Sequence, residues 1–241
     1  MNTLNCEITH RQGSRDYQQD RHLVMDLPHT DLFMAGVFDG MGGMAYGAQA
    51  AEIGMHAVAS AFVEYAYAAC PMRPEMIAMQ CLLRAQQLVH AFDKEGMSGS
   101  TAIVAVLDAQ SGHTGISWLG DSLAGLYVAG DIFKTITSPH TVAADSRWAT
   151  VKHDEAEKGG LTRHLGEKQY YLEPQFTAGS ISPKQRLFLM SDGGFTALHT
   201  AGFEKLAEQS AKNLIEGVDD TNLEDNTTVL EITYVPTGTS Q

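Results

Sequence analysis

The 241-residue sequence predicts an α+β fold: two central antiparallel β-sheets flanked by helices, a four-layer α/β/β/α sandwich. Three observations predict it. The elements run as strands, two long helices, strands, a helix and a last strand, not as the strict alternation that builds a parallel sheet. Residues 101–107, Thr-Ala-Ile-Val-Ala-Val-Leu, are apolar at almost every position, as in a strand covered on both faces. No linker, composition shift or internal repeat divides the chain, so residues 1–241 read as one domain.

Each element has a local reason. Two short strands, 4–10 and 21–26, flank a polar turn from Arg11 to Asp20. An apolar strand, 31–38, ends at Asp39, and Gly42-Gly43 breaks the chain before an alanine-rich helix over 45–69. Pro71 and Pro74 punctuate, and Pro74 suits the first turn of a helix over 74–95. That helix carries Met79, Leu82, Leu83, Val89 and Phe92 at helical spacing. Gly96 to Gly99 ends it, and strand 101–107 follows. Short strands at 114–119, 123–129 and 131–137, with Gly-Asp turns between them, read as an antiparallel meander. Residues 138–168 are polar and contain His140, His153, His164 and Gly159-Gly160; they predict a partly helical surface excursion, a flap of variable sequence that contacts substrate. Strands at 171–178 and 186–191, a helix near 202–213 and a strand at 227–235 complete the fold, with a frayed tail over 236–241.

Composition narrows the function. Hydrophobic residues make up 44%, enough for a sizeable core, and the net charge is -13. An acidic surface argues against nucleic-acid or anionic-membrane partners, while a bound cation can still invert the field locally for a phosphorylated substrate. The cysteines, Cys6, Cys70 and Cys81, lack C-x-x-C spacing, so a reducing compartment is the simplest reading. The first residues show no signal peptide, and residues 53–69 contain His56 and Glu64, which suit a core helix better than a membrane span. A monomeric, cytoplasmic protein is expected.

The chemistry-bearing pattern is a repeated device. Apolar runs stop at Asp39-Gly40 and at Asp192-Gly193, and Glu224-Asp225 stands just ahead of a third run. Strand ends that each present one carboxylate suit a hard divalent cation, and oxygen-only ligands favour Mg²⁺ or Mn²⁺ over zinc. A carboxylate held there without a cation would repel Asp39 and have its pKa raised. Blander roles compete: ordinary Asp-Gly turns, a helix N-cap for Asp192 and a β-turn for Asp121.

Seven segments in order resemble the metal-dependent protein phosphatase 2C (PP2C)-like Ser/Thr phosphatase family in its compact bacterial form. They are Arg15-Asp16-Tyr17-Gln18-Gln19-Asp20, Phe38-Asp39-Gly40-Met41-Gly42-Gly43, Ser98-Gly99-Ser100-Thr101-Ala102, Gly120-Asp121-Ser122, Leu161-Thr162-Arg163-His164-Leu165-Gly166, Ser191-Asp192-Gly193 and Asp225-Asn226-Thr227-Thr228. The resemblance implies hydrolysis of phosphoserine and phosphothreonine in proteins, with two or three Mg²⁺ or Mn²⁺ ions between the sheets and an opposing Ser/Thr kinase. It implies that Asp39 bridges two cations, typically about 3.5–4 Å apart in such sites, and that Gly40 offers its carbonyl. Asp192 and Asp225 are implied as further ligands, and Asp121 as a ligand to a third ion. Asp20 is implied to orient metal-bound water, and Arg15 to hold the phosphate with its guanidinium fork.

The chain departs from the family pattern at several positions. Gln19 stands where glutamate is usual and lacks its charge, which weakens the expected hold on the second cation; Gln18 replaces an asparagine. Leu123 replaces a common arginine, and Met41 stands where eukaryotic relatives carry histidine, leaving water, His140 or His164 as the leaving-group acid. Gln19 and Leu123 keep open a catalytically weak regulatory or binding module. Another two-metal phosphoesterase, such as a nuclease, is disfavoured by the lack of a basic stripe.

Overall fold

The computed structural model describes residues 3–27, 29–92, 96–129, 133–144, 160–167 and 173–235. One five-stranded antiparallel sheet comprises β1 (Thr3–Arg11), β6 (Leu123–Val128), β7 (Lys134–Thr135), β9 (Gln185–Met190) and β10 (Thr227–Val235), in the order β1-β10-β9-β6-β7. The second comprises β2 (Asp20–Asp26), β3 (Leu32–Asp39), β4 (Ala102–Asp108), β5 (His113–Leu119) and β8 (Gln175–Ser180), in the order β2-β3-β4-β5-β8. Helices α1 (Gly47–Ala66) and α2 (Pro74–Phe92) cover the outer face of the second sheet. Helices α3 (Asp192–Ala201) and α4 (Ala211–Glu216) cover that of the first.

Strand alternation divides the core into three layers. Val37, Ile103, Ala105 and Leu107 face the other sheet and meet Leu187, Leu189, Leu230 and Ile232. Their neighbours Met34, Phe38, Val104 and Val106 point outward against Phe62, Leu82 and Val89 of the helices. Alanines 50, 51, 57 and 61 let α1 lie close to the sheet. Each fully buried large side chain contributes about 1.5–3 kcal/mol relative to an exposed one. Among the described residues no helix is long and apolar enough to cross a membrane.

Several local expectations are corrected. The meander over 114–137 is split: β5 pairs with β4 and β8, whereas β6 pairs with β9 and β7. Gly120, at φ 99°, makes the turn between them, and the chain crosses from one sheet to the other there. Strand spacing is blind to that crossing. The helix expected over 202–213 is replaced by α3, a 3-10 turn at Phe203–Ala207 and the short α4. Gly193 and Gly194 each cost α3 about 1 kcal/mol of propensity relative to alanine. The helix forms because Ser191 caps it and Ala197 and Leu198 bury against the sheet. The buried face of α2 is Ile77, Ala78, Cys81, Leu82, Ala85 and Val89, while Phe92 is exposed. The strand expected at 171–178 runs from Gln175 to Ser180. Of the flap segment, residues 145–159 and 168 lie outside the described residues, as does the tail 236–241.

Candidate metal and phosphate site

The inward row of β3, Phe33, Ala35 and Val37, continues to Asp39, so its carboxylate enters the gap between the sheets at their end. Asp20 stands opposite it in the β2–β3 register. Asp192 follows β9, Asp225 precedes β10 and Asp121 lies in the β5–β6 turn. Arg15, Gln19, Asp39, Gly40, Asp121, Asp192 and Asp225 line one cavity of about 360 Å³, and Asp20 lies fully buried beneath it.

Burial and neighbouring charge oppose the ionisation of Asp20, Asp39 and Asp121. Burial raises the pKa of Asp39 well above the ordinary value, and the charges of Asp20, Asp192 and Asp121 raise it further. Burial, with Asp192, also lifts Asp20 to about 6, although hydrogen bonds from Thr228 and Ser191 pull the other way. Asp121 is lifted to about 6 by burial and by the charges of Asp192 and Asp225. Thr228 Oγ1 donates to Asp20 Oδ2 at 2.6 Å, while Oδ1 is buried with no donor against it. The neighbouring group, Asp39, is another acid and donates only when protonated. Such a set fits a divalent cation, which would restore Asp20, Asp39 and Asp121 to their charged form. Among the described residues no three acidic, histidine or cysteine side chains close into a cage.

The backbone around Asp39 is pinned. Its carbonyl accepts from Thr101 N at 2.8 Å and Ser100 Oγ at 3.0 Å. Its N–H donates to Thr101 Oγ1 at 3.2 Å, and that hydroxyl contacts Ser122 Oγ at 2.6 Å. A Cβ on Gly40 would lie 2.6 Å from the carbonyl carbon and oxygen of Gly47. Glycine is therefore needed here so that the end of β3 can pass the start of α1, a constraint besides access to the carbonyl. Asn226 accepts from Gln19 N at 2.7 Å and donates to Gln12 O and Tyr17 O at 2.8 and 3.1 Å, fixing the loop that carries Arg15 and Gln19. Ser100, Thr101, Ser122, Asn226 and Thr228 are the positioning groups that sequence reasoning quoted within motifs without giving them roles.

Two expectations about individual side chains change. Asp192 is the first residue of α3, not its cap: Ser191 Oγ accepts from Gly194 N. Neither His140 nor His164 lines the cavity. His140 Nδ1 accepts from Gly120 N at 3.1 Å and its ring lies parallel to that of Trp118, whereas His164 Nε2 meets Glu167 Oε2 at 3.1 Å. His153 lies outside the described residues. Arg15 donates from Nη2 to Asp225 Oδ2 at 2.6 Å and from Nε to Glu224 O at 3.3 Å, with half of its side chain exposed at the rim.

The chain is similar to solved structures over nearly its whole length. A Ser-Thr phosphatase from Mycobacterium smegmatis, MsPP in complex with cacodylate, aligns with TM-score 0.75 and 21% identity over 95% of this chain and 97% of that one. The catalytic domain of the serine/threonine protein phosphatase PstP, in complex with two manganese ions, aligns with TM-score 0.72 and 19% identity over 98% and 100%. Stp1 from Staphylococcus aureus aligns with TM-score 0.75 and 18% identity over 98% and 96%. At these identities the likeness concerns the fold. No curated protein matches by sequence. The protein phosphatase 2C family model matches residues 9–226, which hold the Arg15 loop, both Asp-Gly strand ends and Asp225. The chain thus belongs to the protein phosphatase 2C family of metal-dependent serine/threonine phosphatases.

Proposed function

We propose that the acidic cavity holds two or three Mg²⁺ or Mn²⁺ ions and hydrolyses phosphoserine and phosphothreonine in protein substrates. The reading is carried by one observation: Asp39, Asp121, Asp192 and Asp225 converge with Arg15 on a single cavity at the ends of the sheets. When bound, the ions activate a water for in-line attack on phosphorus and screen the phosphoryl charge. Asp39 and the Gly40 carbonyl would hold ions from the second sheet, Asp192 and Asp225 from the first, and Asp121 from the turn between β5 and β6. Asp20, through its donor-free Oδ1, orients water at the floor of the cavity. Arg15 grips two phosphoryl oxygens and stabilises charge that grows in the transition state. Its bond to Asp225 keeps the guanidinium over the site. With His140 and His164 engaged elsewhere, solvent water protonates the leaving alkoxide.

A cytoplasmic monomer acting against a Ser/Thr kinase accords with the charge and with the unpaired thiols of Cys6, Cys70 and Cys81. The test is turnover of phosphopeptides and p-nitrophenyl phosphate with Mg²⁺ or Mn²⁺, beside Asp39→Asn. Metal-dependent turnover that collapses in the variant is expected; full turnover in Asp39→Asn would refute the assignment.

A further inference from the structure

A second cavity of about 560 Å³ opens beside the acidic one and shares Arg15, Asp192 and Asp225 with it. Each is on the scale of a small-ligand site, about 300–1,000 Å³, so a phosphoryl group and its ions leave the second one for something else. Its chemistry differs from that of the metal cavity. Ala197 of α3 and Val218, beyond α4, give it apolar surface. Thr196, Thr200 and Asn222 add hydroxyl and amide groups that can pair with a peptide backbone. Glu224 adds an exposed carboxylate for which no ion pair is seen among the described residues. Arg15 is the one cation among the described lining residues, and it stands on the wall common to both cavities.

That position fixes the direction of a bound substrate. A phosphoryl group at Arg15 sits at the shared edge, and the chain that bears it can run into the groove past Glu224. We propose that this groove binds the peptide segment flanking the phosphorylated residue and selects a basic residue near it through Glu224. The proposal rests on the phosphatase reading of the adjoining site. Small side chains pack on Ala197 and Val218, and the cation of an arginine or lysine meets Glu224 at the rim.

The test uses phosphopeptides identical except for a basic, neutral or acidic flank, with p-nitrophenyl phosphate as a substrate that has no flank. Hydrolysis is measured with Mn²⁺. Binding of phosphonate analogues of the same peptides is followed by fluorescence anisotropy. The basic flank is expected to lower KM and Kd about two- to fivefold, the range of an exposed ion pair. Glu224→Gln should abolish that preference, and Thr200→Trp, which fills the groove from the exposed face of α3, should raise KM for peptides several-fold relative to p-nitrophenyl phosphate. Equal KM and Kd for all flanks, a basic preference that persists in Glu224→Gln, or an unchanged peptide ratio in Thr200→Trp would each overturn the proposal. Absence of all hydrolysis with flank-dependent binding intact would instead refute the catalytic reading and leave the groove standing.

Discussion

Thr228→Val isolates the device that holds Asp20. The hydroxyl of Thr228 is buried and donates its one proton to Asp20 Oδ2 at 2.6 Å. His10 Nδ1 lies 3.0 Å from Thr228 Oγ1, whose proton is already given to Asp20, and must therefore be the donor to that hydroxyl. Valine keeps the shape and removes the hydroxyl. A hydrogen bond to a charged group contributes about 1.5–3 kcal/mol, against about 0.5–1.5 for a neutral pair. His10 is exposed and can turn its N–H to water, so only the Asp20 bond enters the sum. At about 2–4 °C per kcal/mol for a chain of roughly this length, the metal-free protein should lose about 3–12 °C in Tm when Asp20 is ionised.

The sign of the pH dependence follows from Asp20, which titrates near 6 in the folded state. Below that pH the bond is neutral and its loss costs less, so the deficit should be larger at pH 8 than at pH 4.5. Thr228→Ser keeps the donor and gives up one methyl, about 0.8 kcal/mol. Thermal melts of both variants in chelator at the two pH values make the measurement, with Mn²⁺ titrations by calorimetry alongside. Valine removes a bond that lowers the Asp20 pKa, so protons should compete more strongly for the site and weaken Mn²⁺ binding most at low pH. Equal melts for the valine and serine variants at pH 8, or a valine deficit that ignores pH, would refute the reasoning.

Two more outcomes follow from the same acids. In metal-free protein, Asp20 is raised from about 3.8 to about 6, so the stability it contributes is complete at low pH and is lost as the pH climbs through 6. Asp20→Asn escapes that loss, and its Tm relative to the wild type should rise between pH 4 and pH 7; a constant difference would contradict the burial argument. Gln19 lines the cavity without charge, so Gln19→Glu should tighten Mn²⁺ binding roughly tenfold, equivalent to about 1.4 kcal/mol, at some cost to the metal-free melt. Calorimetric titration showing no gain would mean that Gln19 does not face an ion.

The legible parts of the molecule were those in which local pattern and tertiary role coincide. Asp39 could be placed because an apolar strand stops at it, and strand parity then fixes the face it points to. Strand 101–107 read as doubly covered because both rows of its side chains meet apolar layers. The crossing at Gly120 was not legible: strand spacing carries no record of which neighbour a strand pairs with. Nor was α3, where the two glycines after Asp192 look like a turn and the compensating burial of Ala197 and Leu198 comes from packing against β9 and the distant strands β6 and β10. The contact between Arg15 and Asp225 spans 210 positions in sequence. No local rule reaches that far, and the groove beside it inherits the same opacity.

The placement of the acids also bears on why the site sits where the two sheets end. Asp39 and Asp20 belong to the second sheet, Asp192 and Asp225 flank strands of the first, and Thr228 of β10 reaches across to Asp20. Each carboxylate alone would be an ordinary strand-end acid open to water. Brought together across the gap, they repel, and the apolar layer between the sheets must outweigh that repulsion in the metal-free chain. A cation held by groups from both sheets would reverse the sign: it would turn the opposed charges of Asp39, Asp192 and Asp225 into ligands and add a tie to two layers otherwise joined by packing, turns and the Thr228–Asp20 bond. Ligand linkage then adds about 2.7 kcal/mol to the fold at a hundredfold excess over Kd. In this arrangement the feature proposed to hold the ions is also the one that destabilises the metal-free protein, and both effects would arise from the inward row of β3 ending in an aspartate.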